Sequence, residues 1–332
     1  MKRILVWVLR VVLVAVVAVG AFVLYLVMKS PKTAPPGSIK VQLTPERVER
    51  GRYLVNYVVD CFGCHSERDF SRFGGPVKPG GLGVGGPLPL EDFPGELIVS
   101  NITPDRGTGL GYWTDGEILR AFREGIGRDG RVLFPMMPYA NYRYLSDEDS
   151  QAIVAYLRSI PPVKKRQAPT KVNFPVNLMI KDVPQPAPSI APPNKADKLA
   201  YGKYLVTIAS CADCHTPLVR GRPVAGKEFA GGRLFAFANS PLRVYTANIT
   251  PDNDTGIGVW TEERFVQKIR SYKPYAENGS PEVGPESFTL MPWLALCYLT
   301  DEDLSAMYAY LRTVRPVSNA VEKWKGLQPG AP

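Results

Sequence analysis

Two five-residue stretches, Cys61-Phe62-Gly63-Cys64-His65 and Cys211-Ala212-Asp213-Cys214-His215, each set two thiols three residues apart with an imidazole directly after the second, and together they hold both histidines of the chain. This C-x-x-C-H spacing is the attachment pattern for c-type haem: the thiols add to the two porphyrin vinyl groups, and the histidine becomes the proximal ligand of the iron. Because the sequence has no third histidine, neither iron can be bis-histidine ligated within this chain. The sixth ligand is another residue type or is absent. A thioredoxin-like dithiol would need a βαβ setting and an activated thiolate, and neither copy is flanked by strand-like runs. A zinc site made of Cys61, Cys64, Cys211 and Cys214 would join pairs far beyond the roughly 15–20 residues usual for a four-cysteine site. The motifs therefore call for two covalently bound haem c groups.

The elements that position these motifs occur twice. Tyr53-Leu54-Val55 recurs as Tyr204-Leu205-Val206, and Asn101-Ile102-Thr103-Pro104-Asp105 as Asn248-Ile249-Thr250-Pro251-Asp252. Trp113-Thr114 recurs as Trp260-Thr261, Met137-Pro138 as Met291-Pro292, and Tyr156-Leu157-Arg158 as Tyr310-Leu311-Arg312. Landmarks in one order, about 150 residues apart, mean two homologous units, here residues 45–163 and 196–316. Each has roughly 115–120 residues, an ordinary domain size. The linker, residues 164–195, is rich in proline, which fixes φ and removes donors, so it is expected to run extended over the surface. Its Phe174, Val176 and Leu178 suggest that it packs on the domains and holds the two haem units at a fixed separation. Residues 317–332 form a tail.

Within each unit the pattern is helical. Arg52 to Val59 and Gly202 to Ala209 read as short amphipathic helices leading into the haem motifs. Thr114 with Glu117 makes a capping box opening a middle helix, and Thr261 caps its counterpart although Arg264 replaces the glutamate. Ser146 and Thr300 are N-caps for closing helices, with Asp149 and Asp303 three residues on as a weaker capping box. Ile153, Tyr156 and Leu157, and Met307, Tyr310 and Leu311, follow helical spacing and form one buried stripe in each unit. No run shows sustained strand alternation. The fold class is all-α.

Ile4 to Met28 is almost wholly apolar, broken only by Arg10. Its uncharged part, Val11 to Met28, makes a helix of about 27 Å, close to the roughly 30 Å hydrocarbon thickness. A cleaved signal has a shorter apolar region and a small-x-small site, whereas this run ends in Tyr25, Leu26, Val27, Met28 and Lys29. Residues 4–28 are accordingly expected to be an uncleaved transmembrane helix. Lys2, Arg3 and Arg10 before or within it are balanced by Lys29, Lys32 and Lys40 after it, so charge does not fix the orientation.

The two C-x-x-C-H motifs, the Asn-Ile-Thr-Pro-Asp segments and the Met-Pro-aromatic segments together resemble the multihaem cytochrome c subunits of membrane-bound bacterial alcohol and gluconate dehydrogenase complexes, and related diheme class I-type cytochromes c. The resemblance covers residues 45–316 apart from the linker. It departs in haem number, since those subunits typically carry three haems. It implies two tandem cytochrome c-like domains and a location on the periplasmic side of the bacterial inner membrane. It also implies electron transfer from a periplasmic or membrane dehydrogenase towards quinone, a terminal oxidase or another cytochrome. In class I cytochromes c the distal iron ligand is a methionine well downstream of the histidine. By repeat position these are Met137, with its neighbour Met136 as rival, and Met291. Met307 is read as core packing.

Several bland readings remain. Gly80 to Gly86 superficially resembles a phosphate loop, but no strand precedes it and Pro87 follows. The Asn-Ile-Thr-Pro-Asp segments are read as structural turns beside the haem and not as calcium loops. Trp113, Trp260 and Trp293 either line the haem pocket or serve as core, and Cys297 is read as an inert buried thiol. The net charge of +9 favours an acidic docking partner or simply makes a solvated basic surface, and no nucleic-acid motif accompanies it. The expected function is a membrane-anchored diheme electron carrier and not an enzyme. The alternative is a diheme peroxidase with one open iron, which a chain lacking a third histidine and offering a methionine in each repeat disfavours.

Overall fold

The structure is a computed structural model and describes residues 2–324. It is mostly helical. Helix α1 (Lys2–Met28) stands at the N-terminus with no buried residue. The first repeat holds α2 (Pro45–Tyr53), α3 (Cys61–His65), α4 (Asp115–Glu124), α5 (Tyr139–Tyr142) and α6 (Asp147–Ser159). The short α7 (Val176–Met179) lies in the linker. The second repeat holds α8 (Lys198–Ile208), α9 (Cys211–His215), α10 (Glu262–Arg270), α11 (Lys273–Asn278), α12 (Trp293–Leu296) and α13 (Asp301–Leu311). The strands among the described residues form antiparallel ladders only two or three residues long, such as Leu234–Ala236 with Arg243–Tyr245.

In each repeat the opening helix crosses the closing helix at a glycine. A Cβ on Gly51 would stand 1.9 Å from the carbonyl oxygen of Ala152, and one on Gly202 1.9 Å from that of Ala306. Backbones this close leave no room for a side chain, which explains glycine inside two helices despite its cost of about 1 kcal/mol relative to alanine. The opening helix of the first repeat starts earlier than its pattern suggested, at Pro45 behind the cap Thr44. It then widens into a π-turn over Leu54–Val58, which buries Leu54, Val55 and Val58.

The Thr114–Glu117 capping box is closed in both directions, and Thr261 accepts from the backbone of Arg264. Ser146 and Thr300 also cap as expected, accepting from the N–H groups of Asp149 and Asp303. The expected return bonds from Asp149 and Asp303 are not made. Both carboxylates turn instead into the contact between repeats. Tyr204 of the second repeat donates its hydroxyl to Asp149 (2.6 Å) and accepts the N–H of Ser146 (3.2 Å). Reciprocally, Tyr53 of the first repeat donates to Asp303 (2.6 Å) and accepts the N–H of Thr300 (3.0 Å). Each closing helix thus begins on a tyrosine of the other repeat. Arg50 completes Asp149 with a two-pronged contact (2.8 Å each), while Tyr201 completes Asp303 (2.7 Å). One hydrophobic cluster runs through both repeats, from Leu54, Leu145 and Val154 to Leu205, Leu299 and Leu304.

The linker is ordered against the first repeat. Lys171–Val172 pairs with Gly95–Glu96, Gln167 donates to Val84 O, and Arg123 donates to Pro188 O (2.7 Å). It is not extended throughout, because residues 176–182 coil into α7 and a following 3-10 turn. The tail does similar work for the second repeat: Asn248 donates to Val317 O (2.8 Å) as Asn101 does to Val163 O (2.8 Å), and Trp324 donates to Phe288 O. Residues 325–332 of the expected tail lie outside the described residues.

Candidate haem sites

Each C-x-x-C-H motif forms one helical turn entered through a left-handed residue, Asp60 (φ 46°) or Ser210 (φ 54°). Asp60 caps its turn by accepting the N–H of Gly63, which keeps that position small: a Cβ there would sit 2.1 Å from the carboxylate. The turn puts both thiols of a motif on one side. Cys61 and Cys211 are half-buried, and Cys64 and Cys214 are exposed. A guanidinium binds the carbonyl at the same motif position in both repeats, although the two come from unmatched places: Arg68 donates to Gly63 O (2.7 Å) and Arg233 to Asp213 O.

The two histidines are oriented alike. His65 Nδ1 lies 2.7 Å from Ser100 O, and His215 Nδ1 2.7 Å from Ala247 O. A carbonyl only accepts, so Nδ1 carries the proton and Nε2 keeps its lone pair for a metal. Desolvation pushes both imidazoles below the usual range, against the opposing effect of these carbonyls, and so favours the neutral ligating form. Ser100 and Ala247 immediately precede the Asn-Ile-Thr-Pro-Asp segments, which gives those segments a purpose. Asn101 Oδ1 accepts from the backbone and hydroxyl of Thr103 (2.9 and 2.8 Å), and Asn248 Oδ1 does the same with Thr250. The turn holds the carbonyl that holds the histidine.

The glycine-rich loop belongs to this arrangement. Gly85 N–H donates to His65 O (2.9 Å), and Gly231 N–H to His215 O (2.6 Å). Both glycines have positive φ, and a Cβ on either would meet backbone at 2.1 Å (Val99 O) or 2.4 Å (Ala247 C). Sequence reasoning missed this pair and the two acceptor carbonyls. The repeated Gly-Gly at 85–86 and 231–232 was the available signal.

Met137 and Met291 both pack, half-buried, against the hydrophobic cluster, as do Cys61, Cys211, Trp113 and Trp260; Met136 is not among the residues packed on it. Met307 is 5% exposed in the core, and Cys297 is fully buried with its thiol donating to Leu294 O. The donor set of each repeat suits haem c: two thiols on one turn, a neutral imidazole with Nε2 unengaged, and a thioether in the same unit. The repeats also meet beside the motifs. Asn141, just beyond Met137, donates to Asp213 inside the second motif (2.9 Å). Tyr142 is buried, which pushes its phenol well above the usual range; nearby Cys61, Cys64 and Asp60 of its own repeat and Asp213 of the other add to the shift.

This arrangement fits the attachment and ligation of haem c. Residues 199–315 match the family model described as cytochrome c, so a cytochrome c domain is present, and that family implies covalent haem c with iron. The chain is 31% identical over 285 residues to the gluconate 2-dehydrogenase cytochrome c subunit of Pantoea cypripedii, an alignment covering 80% of this chain and 59% of that protein. It is 28% identical over 283 residues to the cytochrome c subunit of the quinone-dependent alcohol dehydrogenase of Gluconobacter oxydans, covering 81% and 55%. A diheme cytochrome c-type protein of Cereibacter sphaeroides is 30% identical over 163 residues, covering 47% of this chain and 53% of its own. The chain thus resembles cytochrome c subunits of dehydrogenase complexes, as its motifs led us to expect, and spans between about a half and three-fifths of the length of these relatives.

Proposed function

We propose that the chain is a diheme cytochrome c that is held in the bacterial inner membrane by α1 and carries electrons, on the periplasmic side, from a dehydrogenase towards the respiratory chain. The observation that carries this reading is the paired site geometry: in both repeats a neutral histidine is fixed through Nδ1 to a backbone carbonyl at 2.7 Å. Haem c, when bound, supplies reversible one-electron chemistry at its iron. The chain's own part is to hold and tune it. Cys61 and Cys64, and Cys211 and Cys214, would hold the haems as thioethers, and His65 and His215 would ligate the irons. Met137 and Met291 would add a soft, neutral sulfur that favours the reduced state. Residues 45–163 and 196–316 are the two haem domains, with the Asn141–Asp213 contact and Tyr142 standing between their motifs. The names of the relatives support a dehydrogenase as donor; on this reading quinone, an oxidase or another cytochrome is the acceptor.

Denaturing mass spectrometry of protein matured in a periplasm tests the reading and should show two added haem masses with the N-terminal residues retained. One haem, or none, defeats the diheme assignment, and an N-terminus near Lys29 defeats the anchor. A high-spin iron that binds carbon monoxide in the untreated protein would favour the peroxidase alternative.

A further inference from the structure

The C-terminal end of α1 is gripped by the linker. Lys181 Nζ donates to the carbonyls of Val27 (2.7 Å) and Leu26 (3.3 Å), and Lys29 pairs with Asp182. The last carbonyls of a helix lack intrahelical partners and carry its negative dipole end, so a lysine there satisfies both needs. The uncharged part of α1, Val11 to Met28, is about 27 Å long against a hydrocarbon layer of roughly 30 Å, and Lys29 follows directly, so the end of α1 stands at the level of the lipid headgroups. Whatever is tied to that end is held at the same level.

The tied segment is dressed for such a place. Phe174 is 67% exposed and Met179 57%, with Val183 also open, all within ten residues of one another. Lys171 precedes them and Lys181 stands between Met179 and Val183. Between this segment, the end of α1 and the first repeat lies an open cleft of ≈ 480 Å³ lined by Met28, Lys29, Arg131, Val132, Val172 and Lys181 among others. Its apolar wall continues from α1. Its three cations outnumber the carboxylates that meet them, Asp182 on Lys29 and Asp129 on Arg131 at 3.6 Å. An apolar wall leading from a membrane helix to a cationic rim suits an anionic phospholipid, acyl chains along the helix and phosphate among the cations.

We propose that residues 174–183 form a membrane-surface foot: Phe174 and Met179 enter the interfacial layer, and the Lys29–Arg131–Lys181 cleft seats the headgroup of an anionic phospholipid. The foot fixes the first repeat against the bilayer, where α1 alone would only tether it. This rests on α1 being a retained anchor.

The test uses the full haem-loaded chain in lipid nanodiscs, with a nitroxide at Met179→Cys, Val17→Cys within α1, or Val259→Cys as an exposed position on the second repeat. In discs containing phosphatidylglycerol, the nitroxide at position 179 should be several-fold less accessible than the one at 259 to a water-soluble nickel relaxing agent. Lys181→Gln with Arg131→Gln, or discs of phosphatidylcholine alone, should remove most of that protection with unchanged haem spectra. Equal accessibility at 179 and 259 with position 17 still buried in lipid overturns the foot and leaves the anchor standing. Protection that ignores both lipid charge and the two substitutions overturns the headgroup site. Protection restored in phosphatidylcholine by inorganic phosphate reassigns the cleft to the free anion. If position 17 is itself open to nickel, the anchor fails and the foot fails with it.

Discussion

Removing the hydroxyl of Tyr204 isolates the contact between the repeats without changing side-chain volume. In Tyr204→Phe, Asp149 loses a 2.6 Å donor and the N–H of Ser146 loses its acceptor. A hydrogen bond to a charged group contributes about 1.5–3 kcal/mol and a neutral one about 0.5–1.5. Asp149 keeps its paired contact with Arg50, which puts the first contribution at the lower end. Ser146 is 1% exposed, so water cannot replace the second. The expected loss is about 2–3 kcal/mol. Tyr53→Phe breaks the matching pair on the other side, but the N–H of Thr300 lies at an exposed position, which water can serve, so about 2 kcal/mol is expected there. Tyr57→Phe is the control: its hydroxyl only accepts from Arg52 at 3.2 Å, and its removal should cost less than about 0.5 kcal/mol. Urea unfolding of detergent-solubilised holoprotein, followed by circular dichroism, gives the midpoints, and an unchanged slope keeps the comparison valid. Should Tyr204→Phe be no more destabilised than Tyr57→Phe, the cross-capping account of this interface is wrong.

Axial ligation is checked by substitution: Met137→Ala and Met291→Ala should each abolish one haem's weak sulfur-to-iron band in the far red, and Met136→Ala neither. Loss of the first-repeat band in Met136→Ala alone would shift the ligand by one residue. Gly231→Ala combines a positive φ with backbone 2.4 Å from the new Cβ, which strains the turn behind His215 by at least about 1–3 kcal/mol. Mass spectrometry should find a large fraction of that variant lacking the second haem. Thr114→Ala removes a closed capping box and should cost about 1 kcal/mol in the urea midpoint, within the usual 0.5–2. Thr261→Ala, whose box lacks the return bond, should cost less.

What the sequence revealed was local chemistry and its repetition. Thiols, imidazoles and methionines are typed by their atoms, and the order of landmarks repeated them in two units. What it concealed was chosen by tertiary contact. The tyrosine that caps Thr300 stands 247 positions away, so Asp303 read as half of a local capping box when its carboxylate was committed to Tyr53 and Tyr201. The acceptors that orient His65 and His215 are main-chain carbonyls, which carry no side-chain signature. Gly85 and Gly231 looked like loop composition because only geometry shows the histidine carbonyl each must reach. In the linker, proline content foretold an extended course, and α7 departs from it where Val176 to Met179 can coil without an internal proline.

The exchange of Tyr53 for Tyr204 has the logic of a self-complementary dimer. In such a dimer residue i of one copy meets residue j of the other, and j meets i, about a shared twofold axis. Here both halves of that relation lie on one polypeptide. A half-length ancestor bearing one tyrosine and one acidic helix start would carry both the plug and the socket, and would find its complement only in a second copy of itself. On one polypeptide the two partners need not match: one buried aspartate answers to Arg50 and Tyr204, the other to Tyr53 and Tyr201. Pairing of the halves does not depend on concentration, since both lie on the same chain. Neither half is therefore a module that can be lifted out unchanged.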